Sequence, residues 1–445
     1  MQLELFNTES PQSENQASIS LEELIEAYYQ CRKNKRHTVN ALAFEVDFES
    51  RLYDLWLQIN DGSYQPGRSV AFIVTAPVTR EIFAADFRDR IVHHLVINKL
   101  NPLFEKQFIY DSYSCRKGKG THFGIDRVSR FIRSCSRNYS RDCYILKLDI
   151  EGFFMHIDRK ILFRRLRRFI EEKYQEQDKP TIINLCEKVI FNDCAANCLI
   201  KGKKSDWDGL PPSKSLFHSP PGCGLPIGNL TSQIFANFYL DAFDHFIKHD
   251  LGLRYYGRYV DDYVIVHPDK AYLQSLIPRL DKFLKEQLRL NVHPRKIYLQ
   301  HYSKGVTFLG AVIKPGRIYI RNRIKGNFYD SLQKWNERSR EKKKLDEHEL
   351  LSFKSSVNSY LGLMKHYQAY NIRRKMLLRR LSTYYINHFY ISGGYAKLVR
   401  IKRRVRKKHE KFLPVYDRPS WEEKVARRRW LAVLDFGCGQ RKYES

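Results

Sequence analysis

Tyr255-Tyr-Gly-Arg-Tyr-Val-Asp-Asp-Tyr-Val-Ile-Val266 is the stretch whose reading decides the fold. Apolar runs flank Asp261 and Asp262, a pattern that spells strand, tight turn, strand, with the two acids held near the turn. Adjacent like charges are costly unless a cation sits between them and another acid. The pair is therefore a candidate two-metal site, in which ions about 4 Å apart clamp attacking and leaving oxygens. The third acid has to come from elsewhere. Residues 143–150 form a compact apolar run, read as a buried strand, with Asp149 near its end. Asp149, Asp261 and Asp262 on neighbouring strand ends can hold two Mg²⁺ ions, and the backbone carbonyl of Ile150 could supply a further oxygen ligand. Alone, Asp149 reads no more strongly than a strand-end cap; the Tyr-Val-Asp-Asp pairing gives it weight.

The rest of the composition agrees with a polyanionic partner. The chain has 445 residues, with 78 Lys and Arg against 49 Asp and Glu, a net charge of +29. Such an excess points to nucleic acid, held less tightly as salt rises, with an anionic membrane surface as the blander alternative. Apolar residues make up 43%, enough for a large core, and 28 Tyr and 27 Phe add stacking capacity. No apolar run approaches 18 residues, so no membrane span is expected. The polar start carries no signal pattern, so an intracellular, cytoplasmic setting with reduced thiols is expected. Cys186, Cys194, Cys198 and Cys223 match no common zinc spacing, and His218 adds little.

Outward from the centre, Ser20 opens a helix carrying Leu21, Leu24, Ile25 and Tyr28 on one face, ending in a basic cluster at 31–36. Further helices are expected over 48–59 and from Ile234 to Ile247, and a strand over 70–74. Asp158 caps a helix whose apolar face is backed by Arg164, Arg165, Arg167 and Arg168, read as a solvated basic face. Residues 176–222 read as an irregular insertion. A strand at 318–320 leads into helices from about 327 to 386, and a basic tail follows from 391, densest at 400–408.

The motifs carry a family resemblance. Leu148-Asp-Ile-Glu-Gly-Phe-Phe154 resembles motif A of reverse transcriptases, and Tyr259-Val-Asp-Asp262 their motif C. Residues 290–296 look like motif D, and Gly305-Val-Thr-Phe-Leu-Gly310 like motif E, the primer grip. Order and spacing agree over about 20–370. Motif B reads Gly224-Leu-Pro-Ile-Gly-Asn-Leu-Thr-Ser-Gln233, with Ile227 where Gln is usual and Gln233 where Pro is usual. That departure is similar to the reverse transcriptases of diversity-generating retroelements, as are residues 80–94 and 111–121.

The resemblance implies an α+β right-hand polymerase. It divides the chain into a polar tail (1–18), N-terminal helices and fingers (19–142), and a palm with an antiparallel sheet (143–315). A helical thumb (316–390) and a basic extension (391–445) follow. It implies RNA-directed DNA synthesis at Asp149, Asp261 and Asp262 with two Mg²⁺, copying a template-repeat RNA with errors opposite adenines. The expected partners are template RNA, primer and cDNA, and a small basic accessory protein. Arg80 takes the position that contacts the incoming triphosphate, bidentate geometry suiting guanidinium. Many relatives place a Lys two residues earlier; here Val78 stands there, leaving Arg88 or Arg90 as substitutes. Phe154 would crowd a ribose 2′-hydroxyl, and a packed core Phe is the plainer reading. Ile227 and Gly228 would lie beneath the templating pair, where an Ile lacks the hydrogen bonds of a Gln. Lys296 could protonate pyrophosphate. Phe308, Leu309 and Gly310 would grip the primer, residues 117–120 form a basic turn near the template, and Lys365 and His366 face the duplex. Two rivals stand beside this reading. One is a group II intron-like or defence-associated reverse transcriptase; the other is a non-catalytic RNA-binding protein on a polymerase scaffold.

Overall fold

In the computed structural model, residues 19–401 are described, apart from 34, 36, 37, 76, 77 and 343. The stretch 1–18, part of the 31–36 cluster, and the extension beyond 401 with most of the 400–408 run lie outside the described residues. The chain divides into two compact units, the first ending at Tyr302 and the second beginning at Ser303.

Capping chemistry sets the first helix of the first unit. Ser20 accepts from the Glu23 N–H while the Glu23 carboxylate takes the Ser20 N–H, closing a capping box on α1 (Leu21–Arg32). Helices α2 (Val39–Glu45) and α3 (Phe48–Asn60) follow. Strands β1 (Ser69–Val74) and β2 (Arg80–Ala84) pair antiparallel, and the long α4 (Phe87–Gln107) runs on from them and packs on α1. Next come α5 (Thr121–Cys135), β3 (Tyr144–Asp149), the single turn α6 (Phe153–His156) and α7 (Arg159–Lys173). Asp158 caps α7 through the Ile161 N–H at 2.9 Å.

Residues 176–222 are more ordered than their polar composition suggests. They hold α8 (Lys179–Phe191) and β4 (Cys198–Ile200), which pairs parallel with β1, followed by short 3₁₀ turns. Ile182, Leu185, Cys186 and Ile190 are buried at helical spacing, and Pro180 sits in the first turn, where its missing N–H costs nothing. That stripe was hidden by the polar residues between and after it. The expected single helix from Ile234 is α9 (Leu230–Tyr239), then α10 (Asp241–His245), then a wider π turn at Phe246–Asp250, with Gly252 left-handed just beyond. Arg165 also departs from the solvated face expected of it. Its guanidinium donates to the Tyr239 carbonyl at 2.6 Å and lies over the Phe238 ring. Arg167 and Arg168 do face solvent, each paired one turn on with a Glu.

Strands β5 (Tyr256–Tyr259), β6 (Asp262–His267) and β7 (Tyr298–His301) join β3 in an antiparallel sheet of order β5-β6-β3-β7, with α11 (Lys270–Leu288) between β6 and β7. A core running from Ile19 to Val292 lies against this sheet and includes Phe104, Phe235, Phe243 and Tyr263. Residues Asp111–Tyr113 run along β5, with the Arg258 N–H donating to the Asp111 carbonyl and the Tyr113 N–H to the Arg258 carbonyl, both at 2.9 Å.

In the second unit, β8 (Val306–Phe308), β9 (Ala311–Lys314) and β10 (Arg317–Ile320) form a meander. Helices α12 (Asn322–Glu341), α13 (Glu347–Met364) and α14 (Tyr370–Lys375) follow, α12 starting five residues before its expected place. The hairpin β11 (Phe389–Ser392) and β12 (Lys397–Arg400) occupies the start of what reads as a basic tail. Asn358 of α13 pins it, bonding both the N–H and the C=O of Leu398.

Gly257 on β5 is pressed against the fully buried Tyr113, whose ring end occupies the space a Cβ would need. Gly257→Ala is therefore expected to cost about 1–3 kcal/mol through overpacking. Urea unfolding measures this; an unchanged midpoint would mean the tyrosine has room to retreat.

Candidate active site

The β5–β6 register sets Tyr259 against Asp262, so Val260 and Asp261 form a two-residue turn. Val260 has φ of +56°, the first position of a II′-type turn, where glycine is usual. A β-branched residue is strained there. On the next strand, Asp149 lies directly opposite Asp262. The sheet thus brings together the three acids that the sequence holds far apart.

Their electrostatics follow from that placement. Burial, then the charge of Asp149, pushes the Asp261 carboxyl up to about 6. Burial pushes Asp262 up to about 6 as well, against the pull of the Lys147 ammonium. Two lysines face the acids. Lys147, two residues before Asp149 and so on the same face of β3, sets its Nζ 3.1 Å from Asp262 Oδ1. Asp262 Oδ1 is buried, and this ion pair is its one polar contact among the described residues. Lys296 donates to Asp149 Oδ1 at 2.9 Å. It is aimed there by Asn291–His293, which strap along 149–151 through His293 N–H to Asp149 C=O (2.8 Å) and Glu151 N–H to Asn291 C=O (3.0 Å). Those bonds use one edge of the chain and turn the Ile150 carbonyl to the β6 side.

Arg80 is exposed at the first residue of β2, close enough for its charge to be felt at Asp261. The same strand docks on the Ile227 loop, with the Phe83 N–H donating to the Ile227 carbonyl at 2.8 Å and the Ala85 N–H to Asn229 Oδ1 at 3.1 Å. Gly228 has φ of +125°, and a Cβ there would press on Ile82 and the Phe83 carbonyl. Phe154 is half-buried and packs with Ile227 against a small cluster that includes Phe83, Met155 and Leu216, while Phe153 is the buried neighbour. Gln233 is exposed on α9 and accepts from Cys115 Sγ at 3.1 Å. Phe308, Leu309 and Gly310 close the β8–β9 turn of the second unit, with Leu309 and Gly310 both at positive φ. The expected substitutes for the missing Lys do not serve. Arg88 donates to the Gln65 carbonyl and lies over Tyr64, and Arg90 donates to the Ala85 carbonyl, so both are committed to the scaffold.

Comparison with known proteins identifies this arrangement. Residues 79–313, more than half of the chain, match the family model for reverse transcriptase (RNA-dependent DNA polymerase). The chain belongs to the reverse transcriptase family. It is an enzyme, an RNA-directed DNA polymerase. Protein YkfC of Escherichia coli K12 is 23% identical over 307 residues, covering 61% of this reverse transcriptase and 73% of YkfC. The mitochondrial nuclear intron maturase 1 of Arabidopsis thaliana is 29% identical over 87 residues, 20% of this chain and 11% of the maturase. Among solved structures, telomerase from Candida albicans in complex with a telomeric RNA fragment is 12% identical with a TM-score of 0.44, covering 70% of this chain and 54% of that one.

Reverse transcriptase domains use divalent metal ions. Among the described residues, no three His, Cys, Asp or Glu side chains are arranged around one point as ligands. The donor set of this reverse transcriptase nevertheless suits a hard divalent cation. It offers three carboxylates, among them a buried Asp262 oxygen met only by the Lys147 ammonium, and the Ile150 carbonyl directed toward β6. Lys147 and Lys296 supply positive charge to the same acids.

Three contributors escaped the sequence reading. Lys147 was legible from its two-residue offset to Asp149. Buried Glu81 accepts from Trp207 Nε1 at 2.7 Å and Ser215 Oγ at 2.8 Å, partners more than 120 residues away that no local pattern announces. Arg258, inside the deciding stretch, is fully buried. Among the described residues no helix is long and apolar enough to cross a membrane.

Raised carboxyl values fix a pH dependence. A folded-state value near 6, above the ordinary 3.8, gives Asp262 a contribution to stability that is present below about 4 and lost as pH rises through about 6. Its side chain keeps 22% exposure, so solvent screens part of the effect, leaving on the order of 1 kcal/mol. Asp262→Asn is expected to raise the metal-free melting temperature at pH 7.5, with the gain fading by pH 4. A gain that persists undiminished in acid would contradict this origin.

Proposed function

We propose that this reverse transcriptase copies a template-repeat RNA into adenine-mutagenised cDNA for a diversity-generating retroelement. The observation that carries the reading is Ile227. Its apolar side chain stands in the loop that docks on the Arg80 strand and packs with Phe154. A base pair resting on it lacks the hydrogen bonds a glutamine side chain offers, which loosens discrimination.

The proposed arrangement is a right hand, with fingers over 19–142, palm over 143–315 and thumb over 316–390. Asp149, Asp261 and Asp262, with the Ile150 carbonyl, would hold two Mg²⁺ ions. When bound, the ions activate a primer 3′-hydroxyl and neutralise charge on departing pyrophosphate. Arg80 then binds phosphate oxygens, Phe154 excludes a 2′-hydroxyl, and Ile227 and Gly228 form the floor beneath the nascent pair, beside Gln233. Lys296, within reach of Asp149, can deliver a proton to pyrophosphate. Phe308, Leu309 and Gly310 would position the primer end. The net charge of +29 suits RNA template and cDNA, and a small basic accessory protein completes the set of partners in the cytoplasm.

A second reading is favoured by the maturase relative: a group II intron-like or defence-associated reverse transcriptase, copying with ordinary fidelity. A non-catalytic RNA-binding scaffold would have no need of three intact carboxylates in register.

Primer extension on an RNA template with Mg²⁺ and deoxynucleotides separates these readings. The wild type is expected to extend, and Asp262→Asn to lose at least about 100-fold in rate while staying folded, since it removes a metal acid. Full activity in that variant refutes the metal assignment. Sequencing the cDNA is expected to reveal errors concentrated opposite adenines, reduced by Ile227→Gln. An error rate unmoved by that substitution ends the role given to Ile227. Phe154→Ala is expected to admit ribonucleotides, measured as incorporation from a mixed pool; unchanged sugar preference leaves Phe154 a packing residue.

A further inference from the structure

We infer that Arg258 is a positioning residue for the metal acids, acting through the Val260–Asp261 turn. Its guanidinium has no exposure and sits two residues before that turn. One edge is locked by Asp244, with Nε to Oδ1 at 2.7 Å and Nη2 to Oδ2 at 2.6 Å. Asp244 is also held by the Tyr256 hydroxyl. The other edge reaches Asn237 of α9, at its side-chain oxygen (3.2 Å) and its backbone carbonyl (3.3 Å), and Ser112 Oγ at 3.5 Å. Nη1 also donates to the Val260 carbonyl at 2.9 Å.

That last bond gives the network a purpose beyond burial. A valine at φ of +56° does not hold its turn by preference. The Arg258 bond to its carbonyl, with the Val260 side chain packed on the core, holds the strained residue and thereby aims Asp261, the next one along. Because Asn237 belongs to the helix that follows the Ile227 loop, the same guanidinium also ties that helix to the acid-bearing turn. A buried ion pair alone is weak evidence of stabilisation. A bidentate fork that spends its remaining donors on a strained turn between two acids is better explained by positioning.

The inference rests on the reading of Asp149, Asp261 and Asp262 as metal acids, and the test keeps the two apart. Arg258→Lys retains a cation for Asp244, but a single ammonium cannot also span to Val260 and Asn237. Mn²⁺ binding to the whole protein, followed by titration calorimetry without substrate, is expected to weaken about tenfold. In primer extension, kcat is expected to fall while KM for the template–primer stays unchanged. Adding Val260→Gly, which accepts positive φ without strain, is expected to recover most of the Mn²⁺ affinity of Arg258→Lys. Wild-type Mn²⁺ affinity in a folded Arg258→Lys protein overturns the inference, as does a defect that glycine at 260 leaves untouched. If Arg258→Lys does not fold, Asn237→Leu keeps the Asp244 pair and the main-chain bonds but removes the Oδ1 partner that fixes Nη1 beside the Val260 carbonyl; there, at least threefold weaker binding supports the inference and wild-type binding overturns it. No Mn²⁺ binding in the wild type would instead sink the reading of the acids, and this inference with it.

Discussion

Three carboxylates crowded at one end of an antiparallel sheet are the constraint on which this structure depends. Backbone pairing puts Asp149 opposite Asp262, and the turn adds Asp261 alongside. Left to themselves, buried acids at that spacing prefer to take up protons, which is why two of them titrate near 6. The fold answers with positive charge from Lys147 and Lys296, one from within the central strand and one from the strap beside it. A site that must be supplied with cations is also one that is ready to receive them, and family membership gives that demand its use.

Around the acids, the first unit behaves as a set of cross-ties between distant segments. The β2 strand hangs on the Ile227 loop through main-chain and Asn229 bonds, and the Asp111–Tyr113 segment runs along β5. The loop that would touch a base and the strand that would touch a triphosphate are therefore mechanically one piece. A displacement of either is transmitted to the other through these bonds.

Much of this was legible in the sequence, for physical reasons specific to each element. Ser20, Asp158 and the apolar periodicity of α1, α3 and α7 announced helices because capping and amphipathicity are local. The hairpin was legible because two acids between β-rich runs leave few alternatives. Helix α8 was missed because its short apolar stripe is embedded in lysine, aspartate and proline. The break after Tyr239 was missed because periodicity continues through a π turn, where only the hydrogen bonding changes. At the site, Asp149, Asp261 and Asp262 could be paired by motif, and their register by sheet logic. Glu81 and Arg258 could not be read, since their partners lie on elements whose adjacency only the tertiary fold creates. Arg165 was misassigned for a related reason, its bond to Tyr239 being a contact between helices.

The mooring of Glu81 has one more consequence. Its carboxylate lies one residue from Arg80 and is committed to the indole N–H of Trp207, which is one of only five tryptophans in the chain. Successive residues on a strand face opposite sides, so the inward carboxylate anchors while the outward guanidinium stays exposed. The arm therefore carries its own optical gauge. With the other four tryptophans replaced by phenylalanine, the emission of that indole would report whether the strand bearing Arg80 is seated, with no label attached.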